Sequence, residues 1–224
     1  MNKLEVCCND LLSVVAAKEG GADRIELCSA LELGGLTPSI GLIKSAVEIF
    51  GKAVFVLIRE RPGNFIYSDM EIEVMSRDVK AAVEAGVGGV VIGALTPSLK
   101  IDSSAIKKMM EHASEVEVTF HRAFDEVKDP ESALNEIIDL GCQRLLTSGQ
   151  AKSALDGIAV IKKLNDIAGG RITILPGAGV DHVNAPLILK ATGAVEIHAS
   201  AKETVNGYLK TNPDLVRKIK NAIS

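Results

Sequence analysis

Tryptophan is absent from the 224-residue chain, and aromatic residues reach only 3%. So thin a supply offers no platform for stacked bases, and positive charge does not replace it: 25 Lys and Arg stand against 29 Asp and Glu, a formal net charge of −4. Nucleic acid is not an expected partner. Long hydrophobic runs are missing too. The stretch from Val87 to Leu95 is interrupted by glycines and falls far below the roughly 18 residues of a membrane span, so no membrane association is expected. The N-terminal segment, Met1-Asn2-Lys3-Leu4-Glu5-Val6-Cys7-Cys8-Asn9-Asp10, meets an acid and then polar residues before a signal-type apolar stretch develops, which predicts a cytoplasmic protein. Four cysteines without a Cys-x-x-Cys pair do not form the framework of a small secreted domain, and reduced thiols are expected.

What the chain does have is a steady alternation of short β-branched runs and longer helix-like stretches. The strands are predicted at Leu4–Cys8, Arg24–Cys28, Ala53–Arg59, Gly89–Leu95, Glu117–Phe124, Arg144–Ser148, Arg171–Pro176 and Ala194–Ala199. Helices are predicted at Leu11–Glu19, Ser39–Phe50, Glu71–Glu84, Ser103–His112, Pro130–Leu140, Ala154–Ile167, Ala185–Lys190 and Pro213–Ile223. Glycines at 20–21, 86, 141 and 193 fall between helix and strand, where a left-handed cap is needed. Thr37-Pro38, Asp129-Pro130 and Asn212-Pro213 read as N-caps followed by proline in the first helical position. Eight strand–helix repeats call for a parallel sheet covered by helices, and at this length for a single α/β domain over residues 1–224, an eight-stranded (β/α)8 TIM barrel. The competitor is an open doubly wound sheet. It lacks its glycine-rich turn here, since Asn9-Asp10-Leu11-Leu12-Ser13 follows the first strand.

Barrel proteins do their chemistry at the C-terminal ends of the strands, and strand alternation says which side chains face inward. Setting the apolar face against the helices sends Glu5, Cys7, Glu26, Cys28, Arg59, His121, Thr147 with Leu145, Glu196 and His198 into the barrel. Inward carboxylates need partners, which Arg59, His121 and His198 are placed to supply; Glu5 and Glu26 are either buried ion pairs that hold neighbouring strands in register or functional groups. His121, Arg122 and Asp125 combine a base, a bidentate cation and an acid at one strand end, a catalytic set if the protein is an enzyme, or else a salt-bridged loop. Ligand-binding candidates are Glu5, Glu26, Arg59, Arg61, Thr147, Ser148, Gly177, Gly179, Glu196 and His198. The segment from Arg59 to Tyr67 reads as a lid, and Gly177-Ala178-Gly179 lies where many barrels bind phosphate. Cys7 and Cys28 sit one strand–helix unit apart on the inward parity of neighbouring strands. There they suit a linear Cu(I) site, or are simply small buried hydrophobes.

In order along the chain, Glu5-Val6-Cys7, Gly21-Ala22-Asp23-Arg24-Ile25-Glu26-Leu27-Cys28, Gly34-Gly35-Leu36-Thr37-Pro38-Ser39, the Arg59–Tyr67 loop, Val118-Thr119-Phe120-His121-Arg122-Ala123-Phe124-Asp125, Leu146-Thr147-Ser148-Gly149, Gly177-Ala178-Gly179-Val180 and Glu196-Ile197-His198-Ala199-Ser200-Ala201 resemble the CutC family of copper homeostasis proteins. The resemblance implies a cytoplasmic TIM barrel, a homo-oligomer (a dimer is expected), and Cu(I) bound by two cysteines that correspond to Cys7 and Cys28. The chain departs from the family pattern at Glu60 and Asn64, where proline and aspartate are usual, and at Ser98-Leu99, where Asp-Gly is common. Two functions are therefore carried forward. One is copper homeostasis through a Cu(I)-binding cysteine pair. The other is an isomerase, lyase or hydrolase acting on a small phosphorylated or carboxylated metabolite at the barrel mouth, with His121 as acid or base and Arg59 and Arg122 as anion clamps.

Overall fold

Eight short strands pair side by side, all parallel, in the order β7-β6-β5-β4-β3-β2-β1-β8. They are β1 (Lys3–Cys8), β2 (Arg24–Leu27), β3 (Val54–Leu57), β4 (Gly89–Ile92), β5 (Glu117–Phe120), β6 (Arg144–Thr147), β7 (Thr173–Pro176) and β8 (Glu196–Ala199). β7 and β8 lie against each other without a bridged residue pair, so the barrel is nearly closed. The computed structural model describes residues 2–205 and 208–224; Met1, Asn206 and Gly207 lie outside the described residues. The helices are α1 (Leu11–Gly20), α2 (Ile40–Phe50), α3 (Asp69–Glu84), α4 (Ser103–Met110), α5 (Pro130–Asp139), α6 (Ile158–Ala168), α7 (Ala185–Thr192) and α8 (Pro213–Ile223). None of these is long and apolar enough to cross a membrane.

Local chemistry explains the boundaries. Asp129 and Asn212 accept backbone N–H groups as N-caps with proline behind them, and Gly21 and Gly193 close α1 and α7 in the left-handed conformation at φ 84° and 74°. Thr37 does not cap α2; Ser39 does. The Thr37 hydroxyl instead accepts the Arg59 N–H at 2.9 Å, tying the loop after β2 to the end of β3. A two-stranded antiparallel hairpin, β9 (Lys202–Val205) and β10 (Tyr208–Thr211), lies between β8 and α8. It was not among the expected elements.

The main core fills the space between strands and helices, where the outward residues Leu4, Val6, Ile25, Leu27, Val54, Val56, Val90, Ile92, Val118 and Phe120 pack. Inside the barrel a smaller apolar layer, Cys7, Cys28, Phe55, Leu57 and Val91, separates two polar ends. At the N-terminal end Arg24 pairs with Glu5 and, at 2.7 Å, with Glu196; Arg144 donates to Glu196 at 2.9 Å and pairs with Glu117. Both guanidiniums lie over the Phe55 ring, 4.9 and 5.1 Å from its centroid. β4 makes room for the filling: a Cβ on Gly89 would lie 2.7 Å from Phe55 Cζ and nearer still to other ring atoms.

Candidate functional site at the barrel mouth

The C-terminal ends of the strands surround a cavity of about 250 Å³. One wall carries the thiols. Cys7 pairs across the β1–β2 ladder with Glu26, which sets Cys28 one step further on, and the two sulfurs lie 3.8 Å apart. Both cysteines are buried, at 4% and 1% exposure. The Cys7 thiol is pushed well up by its contact with Cys28 and by burial, against the pull of His198.

His198 stands beside them. Its ladder partner in β1 is Glu5, and its Nδ1 lies 2.7 Å from Glu5 Oε1, with Nε2 3.6 Å from Glu26 Oε2. Burial opposes a charge on the ring, but Cys7, Glu5 and Glu26 together hold its pKa well above the ordinary histidine value. Burial would raise Glu5, yet Arg24 and His198 bring it down to about 2. Glu26 goes the other way: burial and the Glu5 charge raise it, with His198 opposing. The ligating atoms of Cys7, Glu26 and His198 all lie within 4.8 Å of one another.

The cavity lining also includes His121, Arg59 and Phe65. The residue just after β4 seats the imidazole by omission, because a Cβ on Gly93 would lie 2.5 Å from His121 Nδ1 and 3.0 Å from Nε2. Nδ1 accepts the Ala123 N–H at 3.1 Å, capping the 3-10 turn Arg122–Glu126, while Nε2 is buried without a partner among the described residues. The Phe65 ring packs on the imidazole with centroids 4.9 Å apart, and the Arg59 guanidinium lies over the Phe65 ring, 4.9 Å from its centroid. Burial, helped by the Arg59 cation, pushes His121 down to about 3. Arg59 Nη1 and Nη2 donate to the carbonyls of Leu33, Gly35 and Gly63 at 3.2, 3.1 and 2.7 Å. Leu31, Gly34 and Gly35 reach the cavity from the loop after β2.

Other expected residues go elsewhere. Thr147 does not face inward with Leu145: Leu145 packs under the helices, Leu146 lines the cavity, and the Thr147 hydroxyl donates to Asp125 Oδ1 at 2.5 Å. Arg144 decides the parity of β6, because its guanidinium must reach Glu196 inside the barrel. Asp125 also accepts the N–H groups of Ser148 and Gln150, the Ser148 hydroxyl and Arg122 Nε, so its lone pairs are spent on locking the loops after β5 and β6. Ser148 is fully buried in that lock and does not line the cavity. Arg122 reaches the rim but is 44% exposed and paired with Asp125. Arg61 organises its own loop through Glu71 and the Ile66 carbonyl rather than entering the cavity. Glu196 and Glu5 belong to the ion pairs below; Arg24 and Arg144, the partners they find, were not among the candidates. Gly177 lies behind the wall, where a Cβ would meet Leu146 Cδ1 at 2.6 Å, and Ala178 and Gly179, at φ 80° and 67°, turn the chain along the mouth.

The fold and this mouth define an eight-stranded βα barrel with a thiol pair at the C-terminal end. Residues 2–203 match the CutC family, and the chain belongs to it. The human copper homeostasis protein cutC homolog is 46% identical over 207 residues, covering 92% of this chain and 76% of that protein. A family protein CutC of Pasteurella multocida is 46% identical over 200 residues, covering 89% and 82%. The crystal structure of the CutC protein of Streptococcus agalactiae superposes with a TM-score of 0.85 at 33% identity, covering 89% of this chain and 99% of that one.

Proposed function

We propose that this CutC protein serves copper homeostasis by holding Cu(I) between Cys7 and Cys28. The observation that carries the reading is the pair of sulfurs 3.8 Å apart in the cavity wall. Linear S–Cu–S geometry spans about 4.6 Å if metal–thiolate bonds are near ≈2.3 Å, as for zinc, so the sulfurs need to part by roughly 0.8 Å. The donor set suits a soft monovalent ion. Two thiolates and one Cu(I) carry a net charge of −1, which the adjacent His198 imidazolium offsets, and the apolar layer of Phe55, Leu57 and Val91 disfavours hard, hydrated cations. Binding displaces thiol protons, so affinity rises with pH. A cytoplasmic location agrees with a site that needs reduced thiols. Leu11, Leu12 and Val15, exposed on α1, support the expected homo-oligomer.

The test is competitive Cu(I) titration under reducing conditions, wild type beside Cys7→Ser/Cys28→Ser, with circular dichroism to show that the fold is kept. The expected result is one equivalent bound by the wild type and lost in the variant. Undiminished affinity in the folded variant overturns the reading.

A further inference from the structure

The cavity lining has features that copper binding does not use. Because Nδ1 of His121 accepts the Ala123 N–H, the neutral ring carries its proton on Nε2. That N–H is buried, finds no acceptor among the described residues, and belongs to a residue that lines the cavity. An unpaired buried donor costs folding free energy, and three separate features keep it in place: Gly93 leaves room for the ring, Ala123 fixes its rotation, and Phe65 covers it. Beside it stands a second anomaly. Arg59 is 5% exposed, yet no carboxylate lies within 4.0 Å of it among the described residues; its bonds go to neutral backbone carbonyls. A buried permanent cation with no counter-anion is the other unfavourable arrangement that a fold normally avoids.

We propose that the cavity binds a small oxyanion, the carboxylate or phosphate group of a metabolite, with one oxygen accepting from His121 Nε2–H beside the Arg59 guanidinium, and that His121 serves as a neutral hydrogen-bond donor rather than as a proton-transferring acid or base. An oxyanion supplies what both residues lack, an acceptor for the N–H and a charge for the guanidinium, and donors fixed in advance in a water-poor site act most strongly on such a group. His121 stays neutral at physiological pH, since its environment places its pKa at about 3. The cavity has room for about eight groups of water size at ≈30 Å³ each, enough for a compact metabolite. Leu57, Leu146 and Val180 offer its carbon atoms an apolar lining. Ala178, an alanine held at φ 80°, keeps the loop after β7 turned along the same mouth.

Histidine-selective ¹⁵N labelling reads the site directly. The His121 signal is expected to show the neutral Nε2–H tautomer at pH 7, and its Nε2–H proton is expected to move downfield as inorganic phosphate or glycolate is added to tens of millimolar; which of the two acts tells phosphate from carboxylate. The dissociation constant of the active probe, followed by calorimetry, should weaken roughly tenfold or more in His121→Asn, whose side-chain oxygen still caps Ala123 but whose shorter amide places its donor at the ring-carbon position and short of the Nε2 site, and likewise in Arg59→Met. The proposal is overturned by a protonated or Nδ1–H ring, by a His121 signal indifferent to both probes, or by unchanged affinity in folded His121→Asn.

Discussion

Substituting Gly93 by alanine isolates the seat of His121. The new Cβ would lie 2.5 Å from Nδ1 and 3.0 Å from Nε2, whereas comfortable contacts need about 3.5 Å, so the ring must retreat by roughly 1 Å. It cannot do so freely, since Phe65 packs on it at 4.9 Å and the retreat breaks the 3.1 Å bond from Ala123 N–H, on a residue with no exposure. Overpacking costs about 1–3 kcal/mol and an unpaired buried N–H a further ~1–3 kcal/mol, less ~0.5–1 kcal/mol regained from the stiffer unfolded chain. The net expectation is a loss of about 2–4 kcal/mol. With a urea m-value of ~2 kcal/mol/M the denaturation midpoint falls by about 1–2 M at unchanged slope. A double-mutant cycle supplies the control: in a His121→Ala background the same Gly93→Ala change meets no ring and should cost under about 0.5 kcal/mol, a coupling of about 1.5–4 kcal/mol. Equal costs in the two backgrounds refute the seating argument, and so does a single-variant cost below about 0.5 kcal/mol.

Two further outcomes follow from the buried charges. Glu196→Gln takes the shared carboxylate from Arg24 and Arg144, and should cost about 3 kcal/mol in urea unfolding; a loss below ~1 kcal/mol would mean that Glu5 and Glu117 suffice. His121 has a folded pKa of about 3 against 6.5 for a solvent-exposed histidine, so between these values the unfolded chain binds more protons and stability rises with pH. Its contribution is complete above pH 6.5 and fades as pH falls toward 3. Wild type should thus lose about 2 kcal/mol more than His121→Phe between pH 8 and pH 5, and parallel pH profiles would show that the histidine is not held neutral by the fold.

The barrel could be read from the sequence because its strands alternate with helices and carry their caps beside them. The mouth was partly legible for a related reason: in β1, β2 and β8 the polar residues Glu5, Cys7, Glu26, Glu196 and His198 alternate cleanly with apolar ones, so period two assigns the faces. β6 reads Arg144-Leu145-Leu146-Thr147, with a polar residue at each end and two leucines between. Both faces of a helix-covered barrel accept leucine, so alternation alone cannot choose, and the choice falls to Arg144 and its distant partner Glu196. Gly93 gives no local sign of its task, because what it makes room for is a ring on the next strand. At Leu99 the backbone sits at φ 59°, in the left-handed region that favours glycine, so a leucine at this position carries a conformational cost that alternation of apolar residues does not reveal. The β9–β10 hairpin is only four residues a side and escapes a reading built on strand–helix alternation.

The charges inside the barrel bear on both proposals, the Cu(I) thiol pair and the oxyanion site. Arg24, Arg144 and His198 are each in contact with Glu5, Glu196 or Glu26, so the ion pairs that fill the lower barrel and the thiol wall are locally balanced. Arg59 is the exception, held by backbone carbonyls that carry no charge. A chain with a formal net charge of −4 therefore keeps an unneutralised positive charge buried at its mouth. In so poorly solvated a place that charge acts over the width of the cavity, favouring any occupant that is negative overall. Exchanging two thiol protons for one Cu(I) changes the charge of the site by −1, and a carboxylate or a phosphate likewise brings negative charge to it. On the two proposals, that field favours the sign of what is bound, while the 3.8 Å thiol pair and the His121 donor favour its chemistry.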